Sequence, residues 1–185
     1  MAEHVCPWWI GYLLACPVRK LVQNPARILA PHLRPGMTAL DAGCAMGFFS
    51  LAMAEMVGPG GRVRSVDLQQ KMIDSLRRRA ERAGMRERVD ARVCRGNDLE
   101  VDDLAGKVDF ALAFAVVHEV PDAASFLGQI ARSLKSDGRL LLAEPAGHIG
   151  RSAFEATIQT ARDAGLLLLE RPRIRLSRTA LCGKG

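Results

Sequence analysis

At 185 residues, with 49% hydrophobic and 25% charged side chains, the chain is sized for one folded domain and is too apolar to be a disordered segment. Aromatic residues make up only 5%, so a core has to rest on Leu, Val, Ala and Met. The formal charge of +6 admits an anionic partner such as nucleic acid or a lipid surface, or simply arginine-rich exposed helices; the basic residues are dispersed without interleaved aromatics, which favours the helices.

The run from Val5 to Val18 carries no charge and is largely apolar. It is too short to span a bilayer, and with only Glu3 and His4 charged or polar ahead of it, it lacks the basic leader of a signal peptide. Trp8, Trp9 and Tyr12, followed by Arg19 and Lys20, suit either a helix in a membrane interface or a helical lid over the mouth of the domain. Residues 9–20 read as a helix. Asn24-Pro25 reads as an N-cap and N1 proline opening a second helix, which falters at Pro31. Residues 1–35 are therefore expected to form an N-terminal helical lid, and 36–185 the main domain.

Arg34-Pro35-Gly36 turns into a short strand at Thr38–Asp41. After a glycine loop, Phe49, Ala52, Met53 and Met56 recur at helical spacing until Gly58-Pro59-Gly60-Gly61 stops the helix. Val63–Asp67 alternates as a second strand. The next helix sets Ile73, Leu76, Ala80 and Ala83 on one face and ends at Gly84. Strands follow at Val89–Cys94 and Val108–Phe114, the latter as apolar as a central parallel strand requires. A helix over Pro121–Leu134, a turn at Asp137-Gly138, a strand at Arg139–Ala143 and a helix over 150–165 come next. Leu166–Arg171 and Ser177–Cys182 are too close together for an intervening helix, so they should pair antiparallel. The alternation predicts an α/β fold: a seven-stranded, mostly parallel sheet with helices on both faces and the last strand antiparallel.

Five cysteines, Cys6, Cys16, Cys44, Cys94 and Cys182, contain no CxxC pair. Neither a disulfide framework nor a zinc knuckle is suggested, no metal site is expected, and free thiols point to a reducing cytoplasm.

The sharpest local signal is Leu40-Asp41-Ala42-Gly43-Cys44-Ala45-Met46-Gly47, between a strand and a helix. It falls at the carboxyl end of the first strand, where open α/β sheets bind ligands. Gly43 permits close backbone approach, Gly47 lets the helix start pack on the strand, and the helix N-terminus suits a carboxylate. The spacing is not the G-x-G-x-x-G of a pyrophosphate site, and Asp41 would repel a pyrophosphate while suiting a ligand with an ammonium group. Asp67, 20 residues beyond Gly47, stands where it can accept hydrogen bonds from both hydroxyls of a ribose, or be a solvated strand-end carboxylate.

With these elements the chain resembles class I S-adenosylmethionine (SAM)-dependent methyltransferases of the ubiquinone/menaquinone-biosynthesis-like (type 11) branch. Their first motif is acid-x-Gly-x-Gly-x-Gly, and here Ala45 replaces the middle glycine. The resemblance implies a Rossmann-like sheet and SAM as cofactor, with S-adenosylhomocysteine as its product. It assigns Asp41, Gly43, Cys44, Ala45 and Gly47 to the cofactor loop, and Asp67 with Leu68 to the ribose. Arg95-Gly96-Asn97-Asp98 replaces a Gly-Asp whose acid bonds the adenine amino group, a task open to either Asn97 or Asp98. The segment Phe110 to Asp122 resembles the stretch after the fourth strand in that branch, which places Phe114 near the cofactor. His118 there is a base, an orienting group or a loop hydrogen-bonder. Leu134 to Pro145 resembles the family's late motif, and Glu144 is either a structural carboxylate or an acceptor-facing one.

The implied reaction is methyl transfer to a small-molecule acceptor of the thiol, phenol/quinol or metalloid class, with His118 and Glu144 as the candidate catalytic groups. The stretch after the fourth strand is Ala-Phe-Ala-Val, not the Asn/Asp-Pro-Pro-aromatic run of adenine or glutamine N-methylation, and no Pro-Cys pair suits cytosine methylation. Trp8, Trp9 and Tyr12 are expected to line the acceptor pocket. Cys6, Cys16 and Cys44 offer a soft ligand set by analogy with arsenite-type enzymes. Two other readings stay open: an RNA-modifying methyltransferase using the basic Arg77–Arg95 region, and a cofactor-binding protein without catalysis.

Overall fold

The computed structural model describes residues 22–185. The helix expected over 9–20, the lid residues Trp8, Trp9 and Tyr12, and Cys6 and Cys16 lie outside the described residues. The second helix is present as α1 (Pro25–Leu29), with Pro25 in its first turn and Asn24 Oδ1 accepting from the Arg27 amide at 3.3 Å.

A seven-stranded sheet organises the rest. β1 (Thr38–Ala42) lies between β2 (Arg62–Asp67) and β4 (Val108–Phe114), with β3 (Val89–Val93) at one edge. Beyond β4 come β5 (Leu134–Pro145), β7 (Ser177–Lys184) and β6 (Leu166–Glu170), in that order. β1 to β5 are parallel, and β7 runs antiparallel between β5 and β6. The chain leaves β1 toward β2 on one side and returns to β4 on the other. The loops after β1 and β4 therefore diverge and open a crevice at the carboxyl edge.

Strand alternation sorts the core onto two faces. Ala111, Ala113, Leu140 and Leu142 join Leu127 and Ile130 of α4 (Ala123–Ser133) and Phe154 and Ile158 of α5 (Arg151–Asp163). Phe110, Leu112 and Leu141 join Leu29 and Met53 and Val57 of α2 (Ser50–Val57) on the other face. Ile73 and Leu76 of α3 (Gln70–Arg82) close a smaller cluster with Cys44 and Ala91. Gly84 follows α3 at φ +67°, the left-handed stop its position predicts.

Several ends differ from expectation, and two of the shifts have an identifiable cause. α4 begins at Ala123 because Asp122, not Pro121, caps it, its carboxylate accepting from Ser125 N at 2.9 Å. β5 begins at Leu134 rather than Arg139. The Asp137-Gly138 step is an irregularity inside the ladder, where Leu134 pairs with Val108 and Arg139 with Phe110. A Cβ on Gly138 would stand 2.9 Å from the Val108 carbonyl oxygen, so only glycine lets the strands stay paired there.

Arg64 is a buried cation inside β2. Its guanidinium donates to Asp90 at 3.0 Å, to Asp103 at 2.7 Å and to the Glu100 carbonyl at 3.0 Å, tying β2 to β3 and to the segment after it. The hydrogen bond from Arg64 draws the Asp103 carboxyl down to about 2, against its own partial desolvation. A carboxyl depressed on folding stabilises above its unfolded value of about 3.9 and loses that contribution as pH falls through its folded value. Urea midpoints of the parent protein should therefore drop more steeply between about pH 4 and pH 2 than those of Arg64→Met. Parallel acid limbs would contradict the coupling.

Candidate functional site

The loop after β1 is built from alternating left-handed residues: Gly43 at φ +81°, Ala45 at +46° and Gly47 at +82°. A Cβ on Gly43 would sit 2.5 Å from Val116 Cγ2, and one on Gly47 would sit 2.2 Å from Leu76 Cδ1. Glycine is required at both because the loop is pressed against the segment after β4 and against α3. Ala45 occupies the position of the absent middle glycine at a strain of about 1–2 kcal/mol. Its amide donates to Asp67 Oδ2 at 2.9 Å, which holds it in place.

Asp67, at the end of β2, also accepts from Gln69 N through Oδ1 at 2.9 Å. Burial lifts its carboxyl above the ordinary value, while the amide bonds from Gln69 and Ala45 pull the other way. Asp41, at the end of β1, is 2% exposed, and its Oδ2 accepts from Ser50 Oγ at 2.5 Å. That bond fixes the loop's exit into α2.

These loops enclose a cavity of about 430 Å³. Of the residues singled out in the sequence, Asp41, Gly43, Cys44, Ala45, Asp67, Leu68, Phe114 and His118 line it. Phe48, Phe49, Met72 and Phe126 add apolar walls, with the Phe49 and Phe114 rings 4.6 Å apart. Gly47 lies off the wall, supporting it through Leu76. Asn97 and Asp98 are not brought to the cavity. Their turn closes on itself: Arg95 N donates to the Asp98 carbonyl at 2.8 Å, and Asp98 Oδ1 accepts from Glu100 N at 2.8 Å. The Asn97 carbonyl accepts from Gln129 Nε2 at 3.0 Å, and Arg95 and Gly96 line the cavity instead.

The structure couples the two candidates for catalysis. His118 Nδ1 and Glu144 Oε2 are 2.5 Å apart, with the Glu144 side chain 1% exposed and that of His118 18% exposed. Glu144 Oε1 accepts from Val117 N at 2.8 Å, so both carboxylate oxygens are engaged. His118 Nε2 lies 3.7 Å from Glu119 Oε1, and the His148 ring stands edge-on at 5.5 Å. Glu119 and His148 line the cavity and were not singled out in the sequence. Glu119 carries its signal next to His118, whereas nothing in the local sequence around His148 marks it.

Burial keeps the cavity's thiols protonated. It pushes Cys94 up to about 12, helped by the charge of Asp67. It raises Cys44 well above its ordinary value, with Asp41 and Asp67 adding to the effect. Among the described residues, no cluster of three or more His, Cys, Asp or Glu could hold a metal ion, and no helix is long and apolar enough to cross a membrane.

The architecture places the chain among Rossmann-like α/β domains with a ligand-sized cleft at the carboxyl edge of the sheet. Residues 33–166 match the methyltransferase domain family, and the chain belongs to it. It is 36% identical over 145 residues to an uncharacterized 37.1 kDa protein in transposon Tn4556 of Streptomyces fradiae, a match covering 77% of this chain and 41% of that protein. It is 34% identical over 112 residues to the nocamycin O-methyltransferase of Saccharothrix syringae, covering 60% of this chain and 39% of the relative. The chain thus spans about two fifths of the length of the curated relatives it matches. A crystal structure of a SAM-dependent methyltransferase from Aquifex aeolicus superposes with a TM-score of 0.87 at 21% identity, covering 98% of this chain and 100% of that one, a likeness of fold.

Iodoacetamide at pH 8 should leave Cys44 and Cys94 unmodified in the native protein and alkylate both after unfolding, read by peptide mass spectrometry. Rapid native labelling of either would contradict the burial described.

Proposed function

We propose that this chain is a SAM-dependent methyltransferase acting on a hydroxyl-bearing small molecule of the phenol/quinol class. The observation that carries the reading is that His118, at the wall of a cleft also lined by the loop after β1 and by Asp67, is paired with Glu144 buried behind it. Membership of the methyltransferase domain family supports the cofactor.

The residues present fit that cofactor. Each Asp67 oxygen accepts one backbone amide and keeps acceptor capacity for a ribose hydroxyl. Asp41 and the loop from Gly43 to Gly47 would hold the amino-acid end, and Leu68 would flank the sugar. With Asn97 and Asp98 off the wall, the base would rest against Cys94, Arg95, Gly96 and Leu99. When bound, SAM supplies a methyl group on a positively charged sulfur.

The protein supplies a base and a dry site. Glu144 holds the ring so that Nδ1–H faces the carboxylate, leaving Nε2 to accept a proton from an acceptor hydroxyl. The imidazolium so formed lies between Glu144 and Glu119, and both carboxylates stabilise it. An acceptor needing no base, such as a metalloid, has less support. Cys44 is held as a thiol, and Cys6 and Cys16 lie outside the described residues. The RNA reading also loses support. Arg77 donates to the Ala91 carbonyl, Arg79 to that of Met46, and Arg92 pairs with Asp90, so much of the Arg77–Arg95 charge is spent within the fold.

Asp67→Ala should weaken S-adenosylhomocysteine binding, read by calorimetry, by about a hundredfold or more, the worth of two charge-assisted bonds. Unaltered affinity would remove Asp67 from the site. His118→Gln and Glu144→Gln should lower methyl transfer to a hydroxyl acceptor by roughly 10²- to 10⁴-fold while keeping that affinity. Full turnover of His118→Gln across pH would end the base role.

A further inference from the structure

A second cavity, of about 570 Å³, is lined by the start of α5, the connector between β6 and β7 and the start of β7. The segment 145–151 contributes to the walls of both cavities. Pro145 and His148 line the first cavity, and Ala146 and Arg151 line the second. Across the β5–β7 ladder, Glu144 of the catalytic pair is in register with Arg178, which also lines the second cavity. The Ala146 amide donates to the Leu176 carbonyl at 2.9 Å, tying the connector between β6 and β7 to this wall.

The charge in this cavity is one-sided. Arg151, Arg171, Arg173 and Arg178 line it, against the single carboxylate of Glu155. Arg171 pairs with Glu155 at 2.8 Å, and Arg178 Nε donates to the Ile149 carbonyl at 2.7 Å. Both are thereby anchored, and Arg178 keeps further N–H groups to offer. Arg151 and Arg173 have no ion pair or hydrogen-bond partner among the described residues. Arg151 is also the first residue of the 13-residue α5, whose N-cap Gly150 makes no side-chain cap and whose first turn carries no acid. A cation at a helix N-terminus adds to the positive end of the helix dipole rather than offsetting it. Such a concentration of like charge in a concave, polar site is stabilised by an anion, and guanidinium forks match phosphate oxygens in pairs.

We propose that this cavity is an oxyanion site that takes a phosphate group carried by the methyl acceptor, with the acceptor's hydroxyl reaching past the Pro145–Arg151 wall toward His118. Four arginines against one carboxylate call for more than one negative charge, which selects phosphate over a carboxylate. The identity of the occupant as an acceptor rests on the methyl-transfer reading; the anion site itself does not.

Inorganic pyrophosphate is the probe, titrated calorimetrically into the full chain beside succinate and S-adenosylhomocysteine. One equivalent should bind, and the exposed-residue double variant Arg151→Gln/Arg173→Gln should weaken it by about tenfold or more. S-adenosylhomocysteine affinity should not move, and the melting temperature should not fall, since the variant removes two like charges from one face. Absence of pyrophosphate binding, equal binding in the double variant, or succinate binding as tightly would overturn the site. Tighter binding of RNA with a steep salt dependence, lost in the same variant, would assign the face to nucleic acid and overturn it as well. In turnover assays, hydroxylated aromatics bearing a phosphate should be preferred over their unphosphorylated counterparts by the parent and not by the double variant. Equal turnover in the parent overturns the link to the acceptor. Pyrophosphate binding without any S-adenosylhomocysteine binding leaves the anion site standing and removes the methyl-transfer reading.

Discussion

The cleft depends on what Asp67 does with its two oxygens. One takes the amide of Ala45, from the loop after β1, and the other takes the amide of Gln69, just ahead of α3. A buried carboxylate without such donors would favour its neutral form. The two amides pull the carboxyl back toward its charged form, against the burial that raises it, beside a loop forced into left-handed backbone at alternate positions. The loop needs the carboxylate as much as the carboxylate needs the loop, because an alanine at φ +46° is held by the bond its own amide makes. The carboxylate proposed as a ligand contact is thus also the staple that gives the cavity wall its shape.

That double duty explains where the sequence was legible. The strands of the sheet, the position of β4 and the antiparallel closure by β7 follow from hydrophobic alternation and from the short connector between the last two strands. The loop around Gly43 and Gly47 was legible because positive φ and close approach leave few residue types, and both constraints are present at those two glycines. Ala45 stands where the family's pattern has glycine and takes the left-handed backbone at φ +46°, a methyl group being the smallest side chain to place at that angle. Asn97 and Asp98 lie off the cavity for a complementary reason. Their side chains are free to face either way, and the local hydrogen bonds of the Arg95–Asp98 turn, together with Gln129 on a helix distant in sequence, decide the matter.

The His118–Glu144 contact joins residues 26 apart in sequence. Each was visible alone, with a structural and a chemical reading left open. The parallel register that sets Phe114 opposite Ala143 carries the segments after β4 and β5 to the same point of the sheet edge. No local pattern encodes that register; it comes from the alternation of β4 and β5 against two different core faces. The irregularity at Val108 and Gly138 lies at the opposite end of the same strands, where the ladder absorbs extra residues without disturbing the end that bears the pair.

The burial of Glu144 bears on which of its two readings is the better one. A carboxylate 1% exposed carries a desolvation cost of several kcal/mol unless both oxygens are engaged. Val117 N–H engages one oxygen, and it is a backbone group that any residue at that position would supply. The other oxygen needs a donor, and a purely structural solution has simpler choices than a titratable ring: a serine or asparagine would satisfy it and remain inert. An imidazole satisfies it equally while exposing its second nitrogen at the cavity wall. The desolvation that makes Glu144 demanding also fixes the ring, because rotation of His118 away would strand half a buried carboxylate. A ring held at Nδ1 by a buried carboxylate, with Nε2 beside Glu119 at the cavity, is oriented before any acceptor arrives, which is what the proposed base role requires.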